Sequence, residues 1–84
     1  MQAPDLPVCP LGNVPSQASG HIVSLDGGRG IVSRLAALGF VPGARFLMVQ
    51  NFGRGPLIVL VCQARVALGR NEAARIMVHE ETVS

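Results

Sequence analysis

The stretch from Leu25 to Gly43, L-D-G-G-R-G-I-V-S-R-L-A-A-L-G-F-V-P-G, constrains the fold more than any other part of the chain. Its local signals all agree. Asp26-Gly27-Gly28 ends a strand in a turn, and Ile31, Leu35 and Leu38 then recur at i, i+4 and i+7 with Val32 alongside. That spacing predicts an amphipathic helix of about 8 to 10 residues, with Ser33 and Arg34 on its wet side. Gly39 stands where a C-cap glycine belongs, because glycine adopts the left-handed conformation there at little cost. Phe40 is the apolar residue expected to pack back on the last turn, and Pro42-Gly43 suits a type II turn.

Around this helix the chain reads as short strands. Residues 1 to 20 hold Pro4, Pro7, Pro10 and Pro15, which predicts an extended lead-in with Val8, Leu11 and Val14 pinning it to the core. From Gly20 the segment H-I-V-S-L is the first strand, with Val23 and Leu25 as its buried face. Ala44–Gln50 and Leu57–Cys62 are the next two, joined across Asn51–Pro56. If Phe46, Met48, Leu57, Val59 and Val61 point inward, the matching register pairs Met48 with Val59 and Phe46 with Val61.

The same register leaves Leu47, Val49, Ile58 and Leu60 together outside. So small a domain cannot easily cover both faces of a hairpin, which makes this set a candidate contact patch unless the N-terminal segment folds over it. Ala64–Leu68 is a fourth strand with Val66 and Leu68 inward. A single helical turn follows over Ala73 and Ala74 with Asn71 as N-cap, then a last strand with Ile76 and Val78 inward, after which Glu80 to Ser84 frays. Five short strands and one helix after the first predict a mainly β fold, a small strongly bent sheet closing into a barrel. The division expected is a tail over 1–7, one domain over 8–80 and a tail over 81–84.

Composition narrows the function classes. The 84 residues are 49% hydrophobic and 14% charged, too apolar for a disordered segment. All seven basic residues are scattered arginines, the net charge is only +2, and aromatics are limited to three phenylalanines. A nucleic-acid binder would carry a denser basic stripe interleaved with aromatics, so no nucleic-acid partner is expected. The N-terminus lacks the basic start and apolar run of a signal peptide, and Leu57–Cys62 is far short of the ~20 residues a membrane helix needs. Two cysteines, Cys9 and Cys62, fit neither a disulfide scaffold nor a metal knuckle, and the cytoplasm is the compartment expected.

Catalytic motifs are missing. There is no Ser/His/Asp or Cys/His context, no Walker lysine and no carboxylate pair in an apolar setting, and the glycines at 27, 28 and 30 lack G-x-G-x-x-G spacing. The chain is read as a non-enzyme without a cofactor. Metal-ligand types are His21, His79, Cys9, Cys62, Glu80 and Glu81, but no two have ligand spacing, so no metal site is assigned. A divalent transition metal at His79, beside Glu80 and Glu81, is the alternative. Of the thiols, Cys62 is read as an apolar filler and Cys9 as the more reactive.

The pieces Leu25-Asp26-Gly27-Gly28, Arg34-Leu35-Ala36-Ala37-Leu38-Gly39-Phe40-Val41-Pro42-Gly43, Pro56-Leu57 and Val66-Ala67-Leu68-Gly69-Arg70, with Ala73 ahead of Ile76 and Val78, resemble the FeoA family of ferrous iron transport proteins in order and spacing. The likeness spans about residues 11 to 79. It implies a Src-homology-3-like barrel with a helical insert, and a cytosolic accessory of FeoB, the polytopic GTP-hydrolysing ferrous iron importer. Contact with the membrane would then be only through that partner. A similar fold closes iron-dependent repressors, but this chain has no room for a helix-turn-helix in front.

Two features depart from the family pattern. Ile58, Leu60 and Cys62 stand where polar residues are usual, and a glycine is expected near Gln63. The function expected is docking on the transporter through Leu47, Val49, Ile58 and Leu60, with Arg34 as a further contact. A homo-oligomer is the other use of that patch. The alternative function is a metal-responsive protein whose oligomerisation is driven by the bound ion.

Overall fold

Alternating apolar residues build most of this molecule, and the computed structural model describes residues 7–81 of it. Six strands form one antiparallel sheet: β1 Cys9–Pro10, β2 Ser19–Leu25, β3 Arg45–Gln50, β4 Leu57–Val61, β5 Ala64–Leu68 and β6 Ile76–Glu81. Their order across the sheet is β1-β6-β2-β3-β4-β5. Helix α1, Arg29–Ala37, joins β2 to β3, and the one-turn helix α2, Arg70–Ala73, joins β5 to β6. The fold is mainly β, as the alternation predicts. The sixth strand is the two-residue β1, with Cys9 opposite Val78, so α1 follows the second strand rather than the first. Only the last strand could reveal β1, because an isolated Cys-Pro pair carries no strand signal.

The curled sheet encloses Leu11, Val14, Ile22, Leu35, Phe40, Phe46, Met48, Leu57, Val59, Val61, Leu68, Ala73, Ile76 and Val78, all essentially inaccessible to water. Leu11 and Val14 pin the lead-in as expected, through a 3-10 turn at Leu11–Asn13. Val8 does not, being 45% exposed. Leu11 and Val14 of the lead-in therefore enter the core.

The β3–β4 register pairs Met48 with Val59 and Phe46 with Val61, as their alternation requires. It then slips, and Gln50 rather than Val49 stands opposite Ile58. A bulge in β2 overturns one expectation. Ile22 faces Val78 but Ser24 faces Met77, so Val23 is the extra residue and alternation changes phase there. Ile22 and Leu25 consequently both turn inward, and Val23, expected inside, is 38% exposed.

Helix α1 spans nine residues. At its end Gly39, at φ 107°, donates to the Ala36 carbonyl (3.0 Å), and Phe40 donates to that of Leu35 (3.1 Å). This is a Schellman cap. It swings Phe40 into the core, so Leu38, expected in the buried stripe, is 40% exposed. A Cβ on Gly39 would lie 2.9 Å from Cys62 Sγ in a backbone conformation side chains avoid. Gly39→Ala is expected to destabilise the domain by about 2 kcal/mol and lower Tm by on the order of 10 °C, measured by thermal melting.

Helix α2 starts two residues earlier than its sequence suggests. Gly69, not Asn71, is the N-cap, because Glu72 reaches back to accept the Gly69 N–H at 3.1 Å. Nor does the chain fray at Glu80: Glu80 and Glu81 pair with Gly20 and Ser19. Apart from Pro7 and Glu81, the expected tails 1–7 and 81–84 lie outside the described residues.

No β1–β5 pairing occurs among the described residues, and a polar hub ties together the segments around that opening. Asn51 Nδ2 donates to the carbonyls of Gly12 (3.0 Å) and Val14 (2.6 Å). Its Oδ1 accepts from Arg70 Nη2 (2.6 Å) and the Gly53 N–H (2.9 Å). Ser16 Oγ accepts the Asn51 N–H and donates to its carbonyl, while Arg70 also reaches the carbonyls of Gly12 and Gly55.

Candidate docking surface

The outward residues of the sheet follow from parity. With Phe46 and Met48 inside, Arg45 and Leu47 face out, and Leu47 lies between Ser19 of β2 and Leu60 of β4. Leu47 and Leu60 floor a shallow hollow of about 420 Å³, lined also by Ser19, Arg45, Phe46, Cys62 and Gln63. Leu47, Val49, Ile58 and Leu60 are each half-buried rather than fully exposed. The structure brings Leu47 and Leu60 together in this hollow. Val49, displaced by the bulge, and Ile58, beside Ala67, do not line it.

Arg34 belongs elsewhere. Its guanidinium, on α1, pairs with Glu72 of α2 at 3.1 Å, with a side chain 62% exposed. An ion pair that open to water contributes about 0–1 kcal/mol.

Sequence reasoning missed the polar rim. Cys62 and Gln63 join β4 to β5 in a two-residue turn, with Val61 opposite Ala64, and both have positive φ, 50° and 65°. Such a turn favours Asn or Gly, so two side chains here are held at some cost in strain. The missing glycine near Gln63 was the signal that could have located this rim. Cys62 is consequently not a core filler: it is exposed, with Sγ 3.9 Å from the Gly39 carbonyl. Cys9, expected to be the more reactive thiol, is half-buried, and burial pushes its pKa up with the Glu80 carboxylate adding to that shift.

Beyond Arg45 the same face turns polar. Arg45 is opposite His21, and His21 is opposite His79. Glu81 accepts from Arg45 Nη2 at 2.8 Å and lies 3.4 Å from His21 Nδ1. His79 Nδ1 is 3.2 Å from the Pro7 carbonyl oxygen. Residues 58 positions apart thus become neighbours, which spacing along the chain does not show. Among the described residues no three of His, Cys, Asp and Glu converge as a metal-ligand set, and no helix is long and apolar enough to cross a membrane.

A small bent sheet with a helical insert and a shallow apolar hollow on its outer face defines a Src-homology-3-like domain. The FeoA domain model matches residues 9–80. The chain belongs to the FeoA family. A crystal structure of an iron uptake regulatory protein (FeoA) is 31% identical, covering 88% of this chain and 99% of its own, at a TM-score of 0.83. Stenotrophomonas maltophilia FeoA complexed with zinc, described as a procaryotic SH3 domain protein, is 34% identical over 84% and 93% of the two chains, at 0.74.

A manganese-dependent transcriptional repressor, 21% identical, shares the fold over 45% of its own length at a TM-score of 0.82. No curated protein matches the chain.

Proposed function

We propose that this protein is a cytoplasmic accessory of ferrous iron uptake that docks on a FeoB-type GTP-dependent Fe(II) transporter through the outer face of the β3–β4 hairpin. It acts by binding rather than catalysis. The observation that carries the reading is the Leu47–Leu60 floor, bordered by the strained Cys62–Gln63 turn. Apolar side chains lining a hollow on the outer sheet face favour a partner, and strain retained at a rim favours a surface used for recognition. Membership of the FeoA family supplies the pathway.

Leu60→Glu tests this. The half-buried outward position tolerates a carboxylate, so Tm is expected to stay within a few degrees. Placing a charge on the floor is expected to weaken binding to the intact transporter, or to its soluble domain, by at least about tenfold. Binding equal to wild type, in a variant shown to be folded, would refute the surface.

A further inference from the structure

We propose that His21 and His79 form a two-histidine site for a borderline divalent transition metal of the zinc, nickel or copper class, bound through both Nε2 atoms. The two residues are directly opposed on β2 and β6, and both face outward because Ile22 and Val78 beside them face the core. Their ring centres are 5.2 Å apart, with planes inclined at 65°. With a metal–nitrogen bond of about 2.1 Å, two imidazoles at a tetrahedral angle have ring centres about 5 Å apart. The pair already stands at that separation.

The partners of the other ring nitrogens point the same way. A metal-bound histidine almost always gives its second N–H to a carboxylate or a backbone carbonyl, which fixes the tautomer and turns the lone pair toward the ion. Here His79 Nδ1 faces the Pro7 carbonyl and His21 Nδ1 faces Glu81. Among the described residues neither Nε2 makes a hydrogen bond, and neither ring is fully buried. Arg45, the nearby cation, is paired with Glu81 at 2.8 Å, so its charge is offset by the carboxylate that orients His21.

Imidazole nitrogen selects ions of this class over magnesium or calcium. With only two protein ligands the ion keeps water in its remaining positions. The site is open, and micromolar affinity is expected rather than the tight binding of a closed four-ligand site.

The site does not depend on the docking reading, and its test uses no transporter. Titrating the full chain with zinc chloride, followed by calorimetry, is expected to show one ion per chain with Kd in the micromolar range. In the wild-type protein the ring protons of both histidines should shift together in NMR spectra. His21→Gln and His79→Gln should each weaken binding at least tenfold, with melting in metal-free buffer confirming the fold. Cys62→Ser should leave binding unchanged. Zinc binding that survives both histidine substitutions, that requires Cys62, or that moves neither set of ring signals would overturn the assignment, as would the absence of binding below about 100 µM.

Discussion

Gly20→Ala is expected to cost more than about 3 kcal/mol and leave most of the protein unfolded at 37 °C, since a domain this small has only a few kcal/mol to lose. Gly20 is buried in β2, opposite Phe46 on one side and Glu80 on the other. A Cβ there would drive into the His79 carbonyl oxygen and come within 3.0 Å of Glu80 Cα. Those atoms are backbone and cannot turn aside as a flexible side chain would. Relief requires β2 and β6 to separate, breaking the ladder that joins the lead-in strand to the rest of the sheet.

The control is Gly30→Ala, where a Cβ meets nothing within 4 Å and lies in α1. That change should be neutral or stabilising by up to about 1 kcal/mol. Melting followed by far-UV circular dichroism separates the two. A Gly20→Ala protein melting within a few degrees of wild type would show that the strands do not approach this closely.

The second large effect is expected at Asn51. Truncation to alanine removes four side-chain hydrogen bonds at once, two donated to carbonyls and two accepted. Part of the loss is felt at the Gly12 and Val14 carbonyls and at Arg70, which are left in want of partners, and an unmade bond of this kind costs more than the bond itself contributes. We expect about 3 kcal/mol of destabilisation by urea unfolding, a fall in Tm of about 15 °C, and no change in the helix or hairpin signals of the folded fraction. Combining Asn51→Ala with Arg70→Met should cost less than the sum of the two, by about 1 to 3 kcal/mol, because the second change removes a group the first has already stranded. Strict additivity would mean the two side chains do not act together.

These two residues mark the boundary of what the sequence made legible. Features set by neighbours along the chain were readable: the α1 stripe through Leu35, the cap at Gly39, the return of Phe40, and the hairpin register from Phe46 to Val61 all rest on spacings of a few residues. Features set by distant strands were not. The bulges at Val23 and Val49 change the phase of alternation, and only pairing with β6 and β4 decides where they fall. Asn51 looked like one polar residue in a glycine-rich loop, yet its partners come from the lead-in and from α2.

The candidate surface divides the same way. Arg45, Leu47 and Leu60 follow from parity alone, whereas Ser19 and Gln63 join them only once three strands are side by side. His21 and His79, distant in sequence and unremarkable in context, meet because β2 chooses β6 as its neighbour.

That choice has a consequence for how the protein is made. Within the domain β2 is made before β3, β4 and β5, and β6 after all of them. Until β6 is made, the growing chain holds β2, β3, β4 and β5, with one long edge of β2 bare and with Ile22 lacking Val78 across from it. The short β1 likewise waits for β6, its sole partner strand among the described residues. The domain is therefore synthesised with a sticky strand edge in the open until β6 emerges and seals it. A transcript broken ahead of β6 yields an aggregation-prone fragment rather than a weakened version of the domain.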